Sequence, residues 1–147
     1  MKNLTFLLVF MTLSLSEVCW GQTLSQQKMC DEQAHLRFQR EFEGKFTDGS
    51  RYLSHFDPKA NVCYVMLIGS GQVVGGYTPE GVTVVSLQVK DAFEGSLYGE
   101  FYSRICADCG DKPTECYVIP HGSDGRVRCD TASQFWGLVR KYFGVKG

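Results

Sequence analysis

The sequence predicts a single α+β domain, in which an antiparallel sheet of about four or five strands carries an N-terminal and a C-terminal helix and is stapled by disulfides. Helical periodicity is confined to the two ends of the mature chain, and runs of β-forming residues separated by glycine-rich turns lie between them. The mature chain also holds an even number of cysteines. Strands placed between terminal helices indicate an antiparallel sheet, and we expect both helices to cover one face of it.

Residues 1–21 have the layout of a secretory signal peptide that is cleaved before Gln22. Lys2 gives a positive start, residues 4–15 form an apolar run, and small side chains precede the cleavage point. The apolar run is shorter than the roughly 18 residues of a membrane span, and an uncleaved anchor is the alternative. We therefore expect one secreted or periplasmic domain, residues 22–147, with no membrane span after cleavage.

The charge pattern argues against a nucleic-acid partner. The formal net charge is −1 and no run of like charge occurs, whereas neutralising phosphates requires clustered Lys and Arg. The glycines of "GSGQVVGG", residues 69–76, do not match a dinucleotide or phosphate-binding motif, so we interpret them as a chain reversal and expect no cofactor. The expected partner is an unidentified protein or a small ligand.

The first element of the mature chain is an amphipathic helix over residues 26–43. Its apolar positions recur at steps of about four residues: Met29, Cys30, Ala34, Phe38 and Phe42. Arg37 and Glu41 fall mostly off this stripe as an i,i+4 pair, which is worth only a few tenths of a kcal/mol. Gly44 is the predicted stop.

Short β-type segments follow this helix. Asp48-Gly49 and Asp57-Pro58 have turn chemistry, so the segment before residue 61 is interpreted as turns. The predicted strands cover residues 61–68, 82–89, 97–102 and 115–120, with a hairpin turn near Glu94-Gly95.

The last element is a helix that starts with a capping box. Thr131 and Gln134 have the T-x-x-Q spacing in which each side chain satisfies a backbone N–H group at the helix start. The residues that follow it include an apolar face at i, i+3, i+4 and i+7, formed by Phe135, Leu138, Val139 and Tyr142. Gly144 is the predicted stop.

Six cysteines remain after cleavage and are disulfide candidates: Cys30, Cys63, Cys106, Cys109, Cys116 and Cys129. They allow 15 connectivities, among which the sequence does not choose. We expect Cys63 or Cys116 to pair with Cys129, and either Cys106 or Cys109 to pair with Cys30.

The segment "CADCGDKPTEC", residues 106–116, allows three interpretations. Four cysteines, Cys106, Cys109, Cys116 and Cys129, could bind zinc, but the second pair has poor spacing. The C-x-x-C pair could exchange disulfides, but Asp108 would raise a thiol pKa and the residues after Cys109 form a turn, not a helix. Structural disulfides are the favoured interpretation, because an exported chain meets oxidising conditions.

A second group of polar candidates is His55, Asp57 and His121. A histidine beside an aspartate could act as an oriented general base, and this makes a small hydrolase the enzymatic alternative. No serine occupies a nucleophile elbow, however, and loop histidines are usually bonded within their own turn. No catalytic residue and no metal ligand is therefore assigned.

Two stretches, "SHFDPKANVCYV" (residues 54–65) and "DAFEGSLYGEFY" (residues 91–102), resemble a loose group of small exported bacterial proteins. Their shared pattern is S-H-x-[DN]-P-K-x-N-x-C followed by D-A-[FY]-E-G-x-x-Y-[GA]. The resemblance implies an envelope or extracellular setting and brings no activity with it. The sequence as a whole favours a non-catalytic binding or interaction module, such as an inhibitor or an envelope accessory protein. A hydrolase and a Cys-rich metal or redox protein are the alternatives.

Overall fold

The computed structural model describes residues 24–76, 78–110 and 112–144, so the predicted signal peptide lies outside the described residues. Helix α1 covers residues 24–41. The strands are β1 Ser50–Asp57, β2 Val62–Gly71, β3 Thr83–Asp91, β4 Leu97–Ile105, β5 Glu115–Val118 and β6 Val127–Arg128. Helix α2, Ala132–Val139, continues into a 3₁₀ turn, Arg140–Phe143. The predicted α+β class is confirmed, with six strands in place of four or five.

The sheet is an antiparallel meander in which the strands lie side by side in chain order. The four predicted strands correspond to β2, β3, β4 and β5. The prediction missed β6 and β1, which pairs with β2 from Ser50↔Gly69 to Asp57↔Val62. The inward positions of β1 alternate Tyr52, Ser54 and Phe56, and a serine in the middle weakens the apolar period that reveals a strand.

The two helices lie on opposite faces of the sheet, so the prediction that both cover one face was wrong. Cys63, Val65 and Leu67 of β2 pack in the core beneath α1. Tyr64 and Met66 point the other way, into the core beneath α2. A strand buried on both faces carries a continuous apolar run, and this explains the sequence of β2.

Helix α1 packs through the predicted stripe, with two corrections. Its buried apolar positions are Cys30, Ala34, Phe38 and Phe42. Met29 is 50% exposed and lies outside the core. Arg37, predicted on the solvent side, is buried at 8% exposure. The helix is followed by Gly44 in the left-handed region with φ 69°, as the sequence predicts.

Helix α2 begins with the predicted cap. The Gln134 backbone N–H donates to Thr131 Oγ1 at 3.2 Å, and Gln134 Oε1 accepts from the Asp130 backbone N–H at 2.7 Å. Phe135, Val139 and Tyr142 are buried against the sheet. Neither helix in the described part of the chain combines the length and the apolar character needed to cross a membrane.

The six cysteines in the described part of the chain form disulfides, with pairs Cys30–Cys63, Cys106–Cys109 and Cys116–Cys129. The last pair is one of the two alternatives expected for Cys129. The expectation that Cys30 pairs with Cys106 or Cys109 was wrong, because α1 lies over the start of β2 and brings Cys30 to Cys63. Three bridges in one domain are typical of proteins that fold in an oxidising compartment.

Candidate functional site

The structure does not join His55, Asp57 and His121 into a catalytic group. His55 lies within β1, Asp57 ends that strand, and His121 is exposed in the turn that follows β5. Asp57 Oδ1 accepts hydrogen bonds from the backbone N–H groups of Lys59 at 2.8 Å and Ala60 at 3.3 Å. Among the described residues, neither histidine has a hydrogen bond to Asp57. Its carboxylate therefore closes the turn between β1 and β2.

A cluster of three tyrosines packs on the α2 face of the sheet. The ring of Tyr64 lies 5.3 Å from that of Tyr98 and 4.9 Å from that of Tyr142. The Tyr142 hydroxyl donates to the Ile119 carbonyl at 2.7 Å, and the His121 ring lies 6.2 Å from Tyr98. Burial raises the pKa of all three phenols above the ordinary value of 10.0, so they stay protonated. The cluster is packing, with its polar ends hydrogen-bonded or near solvent.

A buried arginine fastens the β3–β4 hairpin to α1. Arg37 donates through Nε to the Ala92 carbonyl and through Nη2 to the Phe93 carbonyl, each at 3.0 Å. Its Nη1 lies 2.6 Å from Glu41 Oε1, and Lys90 Nζ lies 2.5 Å from Glu41 Oε2. Burial alone would raise the pKa of Glu41, but these two cations outweigh it and hold the pKa below its usual value.

The turn of the same hairpin is also fixed by Asp91, the last residue of β3. Asp91 Oδ1 accepts from the backbone N–H groups of Phe93 at 2.7 Å and Glu94 at 2.9 Å. The Ala92 N–H donates to the Cys63 carbonyl at 2.8 Å, next to the Cys30–Cys63 bridge. The backbone of this turn is therefore held by α1, by β2 and by its own aspartate.

These contacts build a surface groove of about 310 Å³ where α1 meets the β1–β2 and β3–β4 hairpins. We call it the hairpin groove. Its lining includes Gln26, Met29, Phe56, Asn61, Phe93 and Glu94. Met29 is 50% exposed and Phe93 is 54% exposed. The side chains of Met29 and Phe93 are thus exposed to solvent beside carboxylate and amide groups.

Two stretches that are far apart in the sequence, residues 54–65 and 91–102, meet at this groove. Residues 54–65 supply Phe56 and Asn61, and residues 91–102 supply Phe93 and Glu94. Reasoning from catalytic motifs missed these residues, because none of them belongs to a known constellation.

The C-x-x-C loop forms its own short bridge at the opposite end of the sheet. Cys106 and Cys109 are partly exposed, and the Cys109 N–H donates to the Cys106 carbonyl at 3.3 Å. Cysteines in disulfides offer no thiolates, so in this oxidised form they do not supply the four-sulfur zinc site considered from the sequence. Within the described ranges, no three or more His, Cys, Asp or Glu side chains cluster as a metal site would require.

No family model, curated protein or solved structure matches this chain.

Proposed function

We propose that this protein is an exported binding module that holds a segment of a partner polypeptide in the hairpin groove and catalyses no reaction at that groove. The observation that carries the proposal is the pair of exposed apolar side chains, Met29 and Phe93. Arg37 and Asp91 brace the turn that carries Phe93, and Met29 is next to the Cys30–Cys63 bridge. Exposed large apolar groups on rigid backbone bind at little cost in conformational entropy, which is how anchor residues act at protein interfaces.

The chemistry of the groove favours one kind of ligand. Glu94 is exposed and Asp91 lies beside it, so the lining carries negative charge. Gln26 and Asn61 add side-chain amides that can bond a peptide backbone. A volume of about 310 Å³ suits one or two side chains. The matching ligand is an extended segment with an apolar side chain next to Lys or Arg.

The hydrolase alternative has less support. Among the described residues that line the hairpin groove there is no histidine, and its cysteine, Cys63, is bridged to Cys30. Asp57, the partner proposed for a general base, is occupied by two backbone amides. An inhibitor or an envelope accessory protein, by contrast, needs only a rigid surface.

Export is part of the proposal. The leader-like residues 1–21 and the three disulfides both support a periplasmic or secreted protein. Expression of the full chain with its leader should give a secreted product whose mass corresponds to a start at Gln22. A product that keeps residues 1–21 would contradict this part of the proposal.

The binding test uses a displayed library of random peptides selected on the immobilised mature protein. We expect enriched peptides to pair an apolar residue with Lys or Arg, and Phe93→Ser to weaken their binding by at least about tenfold. Val74→Ser is the matched control, because Val74 is 57% exposed and lies in the β2–β3 loop. Its affinity should equal that of the wild type.

Two results would reject the groove as the site. One is a library that yields no enriched peptide on a folded protein. The other is a set of peptides that bind Phe93→Ser and the wild type equally well.

A further inference from the structure

The Cys106–Cys109 disulfide differs from the other two in what it can do for the fold. It joins residues 3 apart in sequence, whereas the other bridges join residues 33 and 13 apart. A bridge that closes the shortest loop removes the least entropy from the unfolded chain. The hydrogen bond from the Cys109 N–H to the Cys106 carbonyl already closes the same turn. Stabilisation of the fold therefore gives little reason for this bond.

Its accessibility differs as well. The cysteines of the other two bridges are at most 8% exposed, whereas Cys106 and Cys109 are partly exposed. A groove of about 360 Å³ lies between the loop and the start of α2, and both cysteines line it together with Ser103 and Thr131. A thiol compound can approach the sulfurs from this side.

One cation near the loop distinguishes the surroundings of the two cysteines. A second groove, of about 440 Å³, is lined by Cys109 and Lys112 but not by Cys106. Arg104 lines this groove and also the first one, which both cysteines share. Cations beside a cysteine stabilise its thiolate and make it the better leaving group. Asp108, which lies between the cysteines in sequence, is exposed, as are Arg104 and Lys112, so solvent and salt screen all three charges. The balance of two cations against one anion still favours the thiolate.

We propose that the Cys106–Cys109 bond is a thiol–disulfide exchange site that oxidises dithiols. A thiolate of the dithiol attacks Cys106 Sγ from the groove beside α2, and the Cys106–Cys109 bond breaks as a mixed disulfide forms. Cys109 Sγ leaves as a thiolate, and Cys109 shares the second groove with Arg104 and Lys112. The second thiolate of the dithiol then attacks its own sulfur in the mixed disulfide and releases Cys106.

The two steps balance. The dithiol loses two electrons and two protons and becomes a disulfide, and Cys106 and Cys109 gain them as two thiols. The oxidant is the bond that the structure already holds. The activity does not depend on the hairpin groove, which lies at the other end of the sheet, so each proposal can fail without the other.

The test is single-turnover oxidation of a synthetic dithiol peptide by the mature, oxidised protein. The control reagent is a synthetic peptide of residues 104–114 with the same bridge, which keeps the C-x-x-C sequence and removes the fold. We expect the protein to oxidise the dithiol at least about tenfold faster than this loop peptide. Alkylation and peptide mapping should find the two new thiols at Cys106 and Cys109. Equal rates, or first reduction of either other bridge, would overturn the proposal.

Variants show whether the Cys106–Cys109 bond reacts by the proposed mechanism or only because it is accessible to thiols. Cys109→Ser leaves Cys106 free and should accumulate a mixed disulfide when it is mixed with an oxidised peptide. Arg104→Gln with Lys112→Gln should slow dithiol oxidation roughly three- to tenfold, because the leaving thiolate loses its cations. Arg51→Gln with Lys59→Gln, two exposed positions in β1 and the β1–β2 turn, is the charge-matched control and should leave the rate unchanged. A double variant as fast as this control would show that the cations play no part, and would overturn the mechanism.

Discussion

Replacing Arg37 with methionine should destabilise the protein far more than the same change at an exposed arginine. Methionine keeps the unbranched aliphatic stem but removes the guanidinium. The variant loses the bonds to the Ala92 and Phe93 carbonyls, each 3.0 Å long, and the contact with Glu41. The Ala92 bond is buried, so its carbonyl would be left without this donor.

The size of the effect follows from those contacts. A hydrogen bond to a charged group contributes about 1.5–3 kcal/mol net. The buried bond to the Ala92 carbonyl should contribute the full amount. The other two contacts should contribute less, because the bond to the Phe93 carbonyl is only partly buried and Glu41 keeps Lys90 as a partner. We therefore expect a loss of about 3 kcal/mol in the free energy of unfolding. For a domain of this length that loss lowers Tm by roughly 10 °C.

Urea unfolding, followed by circular dichroism, measures this loss directly, and Arg40→Met is the matched control. Arg40 lies on the same helix, 3.8 Å from the same Glu41, but its side chain is 67% exposed. The control should change the free energy of unfolding by less than about 0.5 kcal/mol. If Arg37→Met costs no more than Arg40→Met, the brace between α1 and the β3–β4 hairpin contributes nothing and the argument for a rigid groove fails.

Two further predictions concern the same brace. The lowered pKa of Glu41 means that the unfolded state takes up its proton first as the pH falls, so the stabilisation is present above the usual value of 4.5 and is lost below it. The free energy of unfolding of Glu41→Gln should therefore fall less steeply than that of the wild type between about pH 5 and pH 3. Urea unfolding at a series of pH values measures this, and an equal dependence on pH in both proteins would contradict the prediction. Gly95→Ala should cost more stability than Gly44→Ala. Both glycines have positive φ, but a Cβ atom added at Gly95 would lie 2.6 Å from Arg37 Nη1. A Cβ atom added at Gly44 would face open space, with no neighbouring atom of the described residues within 4 Å. Equal losses in Tm would show that Arg37 is free to move aside.

Features that depend on neighbouring residues could be predicted from the sequence. The capping box at Thr131 and the glycine stop at Gly144 use hydrogen bonds and dihedral angles set within a few residues. Strand β2 was predicted because its run of apolar, β-forming residues leaves few alternatives in a short segment. The α+β class followed from the order of the predicted segments, with strands between two terminal helices.

The hairpin groove was not predicted from the sequence. The resemblance noted in residues 54–65 and 91–102 implied no site residue, and nothing in the sequence brought Met29 to these stretches. The histidines and Asp57 attracted attention through their chemistry, yet the turn uses the Asp57 carboxylate. Arg37 was placed off the buried stripe because it is charged, although it lies three residues after Ala34 and seven after Cys30, on the same face. Its burial depends on the Ala92 and Phe93 carbonyls, which are distant in sequence.

The sequence alone determined the class of fold, the second helix with its caps, four of the strands and the supply of cysteines. The tertiary structure decided which face each helix covers, which cysteines pair, and which exposed side chains share a groove. The physical reason is the separation along the sequence of the residues that make each contact. Caps, turns and periodicity arise from contacts within a few residues, whereas Cys30 meets Cys63 across 33 positions and Arg37 meets Ala92 across 55. Such contacts are fixed only when the whole sheet assembles.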